Sequence, residues 1–321
     1  MASEPLKIRS LSGSLLRYPG GKGRHAKILV SIFKLNKLQP KTFIEPFCGG
    51  ASISLNLLEA DAVETISLND LDPMIASLWK AVFSTSDSKW LCEQVMTAPL
   101  TLEYWDYQKS KTPQTLREQA FQCLYLNRTS FSGLLHKHAG PIGGRKQDRW
   151  TIGCRFNREK LAARIEKLSS YADRVNFIEN KPWRNFICQS ITSSCFLYFD
   201  PPYYNKADRL YRYVFDENEH AALYEYLHNF CDIPWVLSYD DSKIIRDMYL
   251  SGKQVNGCII DSTYSTHPIG GNSFIGRELL LTNLKTLPKF DTNYYHSGIS
   301  IRDFDAKSSK FMNQTNNFIP V

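Results

Sequence analysis

An aspartate followed by two prolines and two tyrosines, Asp200-Pro201-Pro202-Tyr203-Tyr204, closes the apolar run Cys195 to Phe199. The run has the length and β-propensity of a buried strand. Two successive prolines cannot continue a ladder, so the chain must leave the sheet at Asp200. The carboxylate is then held on stiff backbone at a strand's C-terminal edge, where open α/β sheets bind ligands. This arrangement suits the exocyclic amine of a nucleobase, a poor nucleophile because its lone pair is delocalised into the ring. Asp200 can accept one N–H, and the Pro201 carbonyl, freed from the ladder, can accept the other. Two fixed acceptors favour the nitrogen as it turns tetrahedral during attack. Tyr203 offers a flat face for a base drawn out of its helix.

Three other stretches carry chemistry. In Arg17-Tyr18-Pro19-Gly20-Gly21-Lys22-Gly23 the glycines let backbone approach a ligand, and Lys22 can meet a carboxylate or phosphate. A Walker phosphate loop would need Gly at Leu16 and Ser or Thr at Gly23, and neither is present. Lys41 to Glu45 reads as a strand, Pro46 to Gly50 as a glycine turn, and Ala51-Ser52 as a helix start. Such a turn lets a cofactor lie across a strand end, and the lack of Gly-x-Gly-x-x-Gly argues against a dinucleotide. Glu64 to Leu68 reads as a second strand ending at Asn69-Asp70-Leu71-Asp72. Asp70 stands where nucleoside-binding α/β folds grip a ribose diol, and Asp72 before Pro73 reads as the cap of the helix Met74 to Phe83.

The net charge of +7 is concentrated. Between Asn127 and Lys160 eight basic residues face two acids, a surplus of six. Aromatic residues and glycines are interleaved with them, as expected of a surface that meets a polyanion. Arg128, Arg145 and Lys146 are the expected DNA contacts, with His136 near a base edge.

The elements that must position these residues alternate between strand and helix. After Gly23 a helical stripe runs through Ile28, Leu29, Ile32 and Phe33. From Ser84 to about Tyr171 the alternation stops, and the composition turns helical and polar, then glycine-rich and basic. The sheet resumes at Val175 to Glu179 and reaches the Cys195–Phe199 strand. Asp216 and Glu219 then form a capping box for a helix with Leu223, Tyr226, Leu227 and Phe230 on one face. Trp235 to Tyr239, Val255 to Tyr264 and Glu278 to Thr282 read as strands, the last two antiparallel, with a helix from Ile244 to Leu250. The expected fold class is α/β, with a Rossmann-like sheet and a mainly helical insert. The expected division is 1–83 and 173–285 for the α/β catalytic unit, 84–172 for the insert, and 286–321 for a tail of weak periodicity.

Apolar residues at 43% and charged residues at 22% are those of an ordinary globular chain of 321 residues. No run approaches a membrane span and the N-terminus lacks an apolar signal core, so a cytoplasmic protein with no membrane partner is expected. The eight cysteines contain no Cys-x-x-Cys pair. Cys48, Cys123, Cys188 and Cys195 sit among apolar residues and read as core in a reducing compartment, and no metal site is expected.

Four stretches taken together resemble the Dam-type DNA adenine-N6 methyltransferases. They are Arg17-Tyr18-Pro19-Gly20-Gly21-Lys22, Glu45-Pro46-Phe47-Cys48-Gly49-Gly50-Ala51-Ser52, Leu68-Asn69-Asp70 and Asp200-Pro201-Pro202-Tyr203, and the likeness runs from about residue 15 to 285. The resemblance implies S-adenosylmethionine as methyl donor, a seven-stranded mostly parallel sheet, a target-recognition insert and double-stranded DNA as partner. It implies cofactor binding by Tyr18, Lys22, Asp70 and Asp200, with the backbone from Phe47 through Gly49 to Ala51 beneath the cofactor. It implies that Asp200, Pro201 and Tyr203 hold a flipped adenine. Asn127-Arg128 and Phe131-Ser132-Gly133-Leu134 resemble the start of the family's DNA-reading segment. Members that methylate GATC often carry Arg two residues past that leucine, where this chain has His136, so the resemblance does not imply that target. Nothing in the chain points to an obligate protein partner.

The same chemistry would serve cytosine N4, an RNA adenine or a glutamine amide. A catalytically silent DNA-binding module and a metal-dependent nuclease using Glu179 and Lys181 are the readings from other classes.

Overall fold

A computed structural model describes residues 13–17, 22–191, 194–204, 215–250, 255–264, 274–288 and 299–303. Eight strands form one mixed sheet in the order β3-β2-β1-β4-β5-β7-β6-β8. They are β1 (Thr42–Glu45), β2 (Thr65–Asn69), β3 (Val175–Glu179), β4 (Cys195–Phe199), β5 (Trp235–Asp240), β6 (Asn256–Tyr264), β7 (Phe274–Thr282) and β8 (Ile299–Asp303). The first five are mutually parallel, with β1 flanked by β2 and β4. β7 runs antiparallel between β5 and β6, as expected of the closing strands. β1 to β7 supply the expected seven, and β8 is an additional strand. β8 pairs antiparallel with β6 in a stretch whose composition reads as tail, because its two isoleucines stand among polar and charged residues.

The chain steps outward from β1 through β2 to β3 and then returns to β1's other side as β4. The order therefore reverses between β1 and β4, and a crevice opens there at the carboxyl ends of the strands. An acid stands at or just past each parallel strand's end: Glu45, Asp70, Glu179, Asp200 and Asp240.

Strand alternation divides the core into two layers. On one face Phe196 and Tyr198 of β4, Val236 of β5 and Leu280 of β7 pack in a cluster with α1 (His25–Leu35), α2 (Ser52–Glu59) and α3 (Pro73–Val82). On the other, Leu197, Phe199, Leu237, Leu279 and Leu281 pack against α8 (Trp183–Ser190), α9 (Glu217–Asn229) and α10 (Lys243–Leu250). The expected stripe of α1 is buried, and Asp72 caps α3 by accepting the Met74 amide at 2.9 Å. Asp216 likewise caps α9 through the Glu219 amide. Two expectations are corrected. Phe230 lies just past α9 with 73% of its surface exposed, because the helix ends before the residue can turn inward. Cys188 is exposed on α8, on the side facing away from buried Phe186 and Ile187.

Residues 84–172 hold four helices, α4 (Thr85–Thr97), α5 (Leu102–Ser110), α6 (Leu116–Thr129) and α7 (Arg158–Ser169). Each begins at a side-chain cap, Ser84, Thr101, Thr115 and Asn157 respectively, which satisfies an amide that the helix cannot. α6 is buried along most of its length and packs on α3, and its apolar residues join the same cluster as the α1 face of the sheet. The helical block is thus built onto the sheet layer through a shared core. Among the described residues no helix is long and apolar enough to cross a membrane.

Candidate active site

The turn after β1 is fixed from several sides. The Cys48 amide donates to the Asn69 carbonyl at 2.8 Å, and the Gly49 amide donates to Asp70 Oδ2 at 2.8 Å. Trp79 Nε1 donates to the Gly49 carbonyl at 2.8 Å, and Asn69 Nδ2 to the Pro46 carbonyl at 2.9 Å. Gly49 and Ala51 adopt positive φ, which lets the turn fold back before α2 starts. Phe47 is partly buried, its ring meeting Phe215 edge-on at 5.5 Å. The turn is therefore a rigid floor beside the crevice, with Asp70 as its buttress.

Asp70 also accepts the Asp72 amide through Oδ1 at 2.9 Å. Burial, followed by the charge of Asp72, raises its pKa to about 7. Each oxygen already takes one N–H and keeps a second lone pair for a ligand hydroxyl. Glu45, buried at the end of β1 and bonded by the Ser54 hydroxyl, is raised to about 8, chiefly by burial and further by Asp200 and Asp70. Three carboxyl groups at one sheet edge, each harder to ionise than usual, form a donor set that a cation would stabilise. S-adenosylmethionine carries two cationic centres, so the residues present fit the donor that the resemblance implies.

Asp200 follows β4. The Ser238 hydroxyl donates to Asp200 Oδ1 at 2.8 Å and receives the Tyr198 hydroxyl at 2.9 Å. The Tyr198 oxygen lies 3.2 Å from His25 Nδ1. Burial raises the Asp200 pKa to about 6; the Lys22 ammonium opposes that shift and Glu278 adds to it. Tyr203 has its hydroxyl on Glu278 Oε1 at 3.0 Å and bonded to Lys22 Nζ. Lys22 is buried and pairs with Glu278 Oε1 at 2.5 Å. Pro201 is buried, and Asp240 Oδ1 accepts the Tyr204 amide at 3.1 Å, which turns the chain away after the motif. Tyr18 lies outside the described residues.

Alternation explains the grouping. Tyr198, Ser238 and Glu278 occupy the positions of β4, β5 and β7 that face α1: Glu278 meets Lys22 and His25 near that helix's start, Tyr198 meets His25, and Ser238 joins them through Tyr198. Sequence reasoning missed His25, Tyr198, Ser238, Glu278 and Glu45. For the four on strands the signal was a polar residue in an apolar run, visible only once strand order was known; His25 opens α1.

The expected DNA-contact residues divide by exposure. Asn127 is 0% exposed; its Oδ1 accepts the Arg17 amide at 2.7 Å, and its Nδ2 donates to the carbonyls of Arg17 and Gly133 at 3.1 and 2.7 Å. Arg128 donates to the carbonyls of Leu15 and Ser14 at 2.6 and 3.0 Å, and burial lowers its pKa to about 10. These two residues clamp the segment before Tyr18 rather than face outward. The loop that follows is pinched at its base, where the Phe131 amide meets the Gly140 carbonyl and the Ile142 amide meets the Thr129 carbonyl. Gly133 sits at φ +75°, and a Cβ there would stand 2.1 Å from the Arg17 carbonyl oxygen. Phe131 is 64% exposed, Ser132 is exposed beside it, and Leu134 is partly buried. His136 is partly buried, with Nδ1 accepting the His138 amide at 3.1 Å, and burial followed by Lys109 lowers its pKa. Arg145 forms a two-point ion pair with Asp106, both bonds 2.7 Å, and Lys146 is exposed.

A model of the family described as D12 class N6 adenine-specific DNA methyltransferase matches residues 18–265. The chain belongs to that family. It is accordingly an S-adenosylmethionine-dependent, adenine-specific DNA methyltransferase. No curated protein matches the chain. Among solved structures it is similar to the rRNA methyltransferase aviRa from Streptomyces viridochromogenes, at 14% identity and a TM-score of 0.39 over 88% of this chain and 92% of that one. So distant a likeness carries nothing over to this methyltransferase.

Proposed function

We propose that this D12-class enzyme methylates N6 of an adenine flipped from a specific site in duplex DNA. The observation that carries the reading is the pairing of Asp200 and Tyr203 at the strand-order reversal, with both side chains tied into one buried network. S-adenosylmethionine, when bound, supplies a methyl group on a cationic sulfur. Asp70 and the turn from Phe47 through Gly49 to Ala51 would hold its nucleoside, with Lys22 and Tyr18 bordering it and Asp200 facing its charge.

Extruding the adenine costs a few kcal/mol, and stacking on Tyr203 offsets about 1–3 kcal/mol of that. Asp200 accepts one N6 hydrogen and the Pro201 carbonyl the other, which fixes the amine in line with the methyl. Transfer would form the N–C bond as the donor's C–S bond breaks, with that electron pair left on sulfur. The surplus proton on N6 passes to Asp200, whose basicity burial has raised. Neither a metal nor a covalent enzyme adduct is needed for this balance.

DNA approaches from the side of the loop 131–140. Phe131 and Ser132 are exposed where the loop begins, Lys146 supplies phosphate affinity, and Leu134 and His136 follow along the loop. Arg145 joins them by exchanging Asp106 for a phosphate, while Asn127 and Arg128 set the loop's base. The test is to map N6-methyladenine in DNA from cells expressing the chain and, in parallel, Asp200→Ala. The expected result is one short sequence methylated by the native enzyme and unmodified DNA with the variant. Equal methylation by the two would overturn the assignment of Asp200.

A further inference from the structure

We propose that Glu278, on β7, is a positioning residue that sets Tyr203 and Asp200 against each other. The inference rests on the reading of those two residues as the walls of an adenine pocket. Glu278 lies beyond residue 265, where the match to the family model ends, and on a strand antiparallel to the five that build the crevice.

Strand register brings it there. Glu278 is paired with Asp240 of β5 on one side and Ile260 of β6 on the other. Its side chain is 5% exposed and faces α1. One oxygen serves the Tyr203 wall: Oε1 takes the Tyr203 hydroxyl at 3.0 Å and pairs with Lys22 Nζ at 2.5 Å, and Lys22 also bonds that hydroxyl. The three groups close a triangle that fixes the far end of the Tyr203 ring. The other oxygen serves the Asp200 wall: Oε2 lies 3.5 Å from His25 Nε2. From His25 the contacts run through the hydroxyls of Tyr198 and Ser238 to Asp200 Oδ1 at 3.2, 2.9 and 2.8 Å. One buried carboxylate therefore bonds the Tyr203 wall directly and adjoins His25, from which the hydroxyls of Tyr198 and Ser238 lead to Asp200.

Charge is part of the device. Lys22 and Glu278 bury opposite charges together, so removing either leaves the other without its counter-ion in a dry site. A neutral side chain at 278 could keep the hydrogen bond to Tyr203 but could not hold the ammonium in place. The ring would then be free to rotate about its own bond to the backbone, and a base has no defined face on which to stack.

The experiment uses the full chain, a duplex carrying 2-aminopurine at the adenine identified by methylation mapping, and the variants Glu278→Gln, Glu278→Asp and Tyr203→Phe. Glu278→Asp keeps the charge beside Lys22 and draws the oxygen away from Tyr203 by one methylene, so it reports on position where Glu278→Gln loses thermal stability. The expected result is a smaller fluorescence rise on DNA binding and a kcat lower by about one to two orders of magnitude, the cost of misplacing a reacting group by about an ångström. The dissociation constant for S-adenosylmethionine, measured by calorimetry, changes by a smaller factor than kcat. Adding Tyr203→Phe to Glu278→Gln lowers the rate by less than the product of the two single effects, because both act through one hydroxyl. Native kcat and fluorescence in both Glu278 variants, a loss confined to donor affinity, or fully multiplying effects would overturn the proposal. A native enzyme that methylates without any fluorescence rise would overturn the flipped-base reading instead.

Discussion

The Ser238 hydroxyl of β5 lies 2.8 Å from Asp200 Oδ1 across the β4–β5 ladder, and it is placed there by a strand position that faces α1. This bond favours the ionised carboxylate against the burial that opposes it. Ser238→Ala should raise the Asp200 pKa by about one unit, the worth of a hydrogen bond to a charged group. The acid limb of kcat should move from near pH 6 toward pH 7, with the rate at pH 8.5 changed far less. The measurement is a pH–rate profile of the two enzymes; superimposable acid limbs would separate Ser238 from the group proposed to take the proton.

Burial of Asp200 has a cost that appears as pH-dependent stability. Its folded pKa of about 6 stands above the ordinary 3.8, so the native state holds the proton more tightly than the unfolded chain. Stability from this group falls as pH rises from about 4 to about 6, and the cost is fully present above that window. At pH 7 it amounts to at most about 3 kcal/mol. Asp200→Asn should therefore melt higher than the native enzyme at pH 7, lose most of its methyl transfer, and converge on the native melting temperature near pH 4. Thermal denaturation at both pH values checks this, and a variant less stable at pH 7 would contradict it.

Asp70 and Glu45, raised to about 7 and about 8, couple donor binding to protons. A cation arriving beside them favours their ionised forms, so binding releases protons and tightens as pH rises from 6 to 8. Calorimetry in two buffers of different ionisation enthalpy should show that release. Asp70→Asn should reduce it and weaken S-adenosylmethionine by about tenfold or more, with DNA affinity nearly unchanged. Donor affinity that ignores both pH and this substitution would place the donor elsewhere.

The residues between 127 and 146 should separate into fold and interface. Asn127→Ala removes three buried bonds and should destabilise the protein by about 2–4 kcal/mol, with lost DNA affinity following from the loosened loop. Lys146→Ala should leave the melting temperature intact, weaken all duplexes alike and lower the salt slope by about 0.9. Phe131→Ala should cost about 1–3 kcal/mol in DNA binding without unfolding. The checks are melting curves and binding at two salt concentrations; an Asn127 variant of native stability would refute the division.

Seven strands were legible as apolar runs, the parallel ones ending at or just before an acid, of which Asp200 is one. The network behind it was not legible. Tyr198, Ser238 and Glu278 are distant in sequence and share only a face, which alternation fixes but strand order must first bring together. Asn127 and Arg128 misled for a related reason: a polar pair at a helix end beside a basic stretch reads as surface, and only the packing of residues 14–17 across it turns the pair inward. β8 was hidden by its polar composition, with only two isoleucines to mark it.

β7 lies between β5 and β6 although it follows both along the chain. The family match stops at residue 265, before that strand begins. A fragment cut at the edge of the match would keep Asp200, Asp70 and the glycine turn, yet would leave open ladder edges on both β5 and β6 where β7 belongs. Such unpaired edges recruit strands from other chains. A strand made after both of its neighbours is thus the wedge that closes the sheet between them, and the part of this enzyme that the family matches is smaller than its sheet.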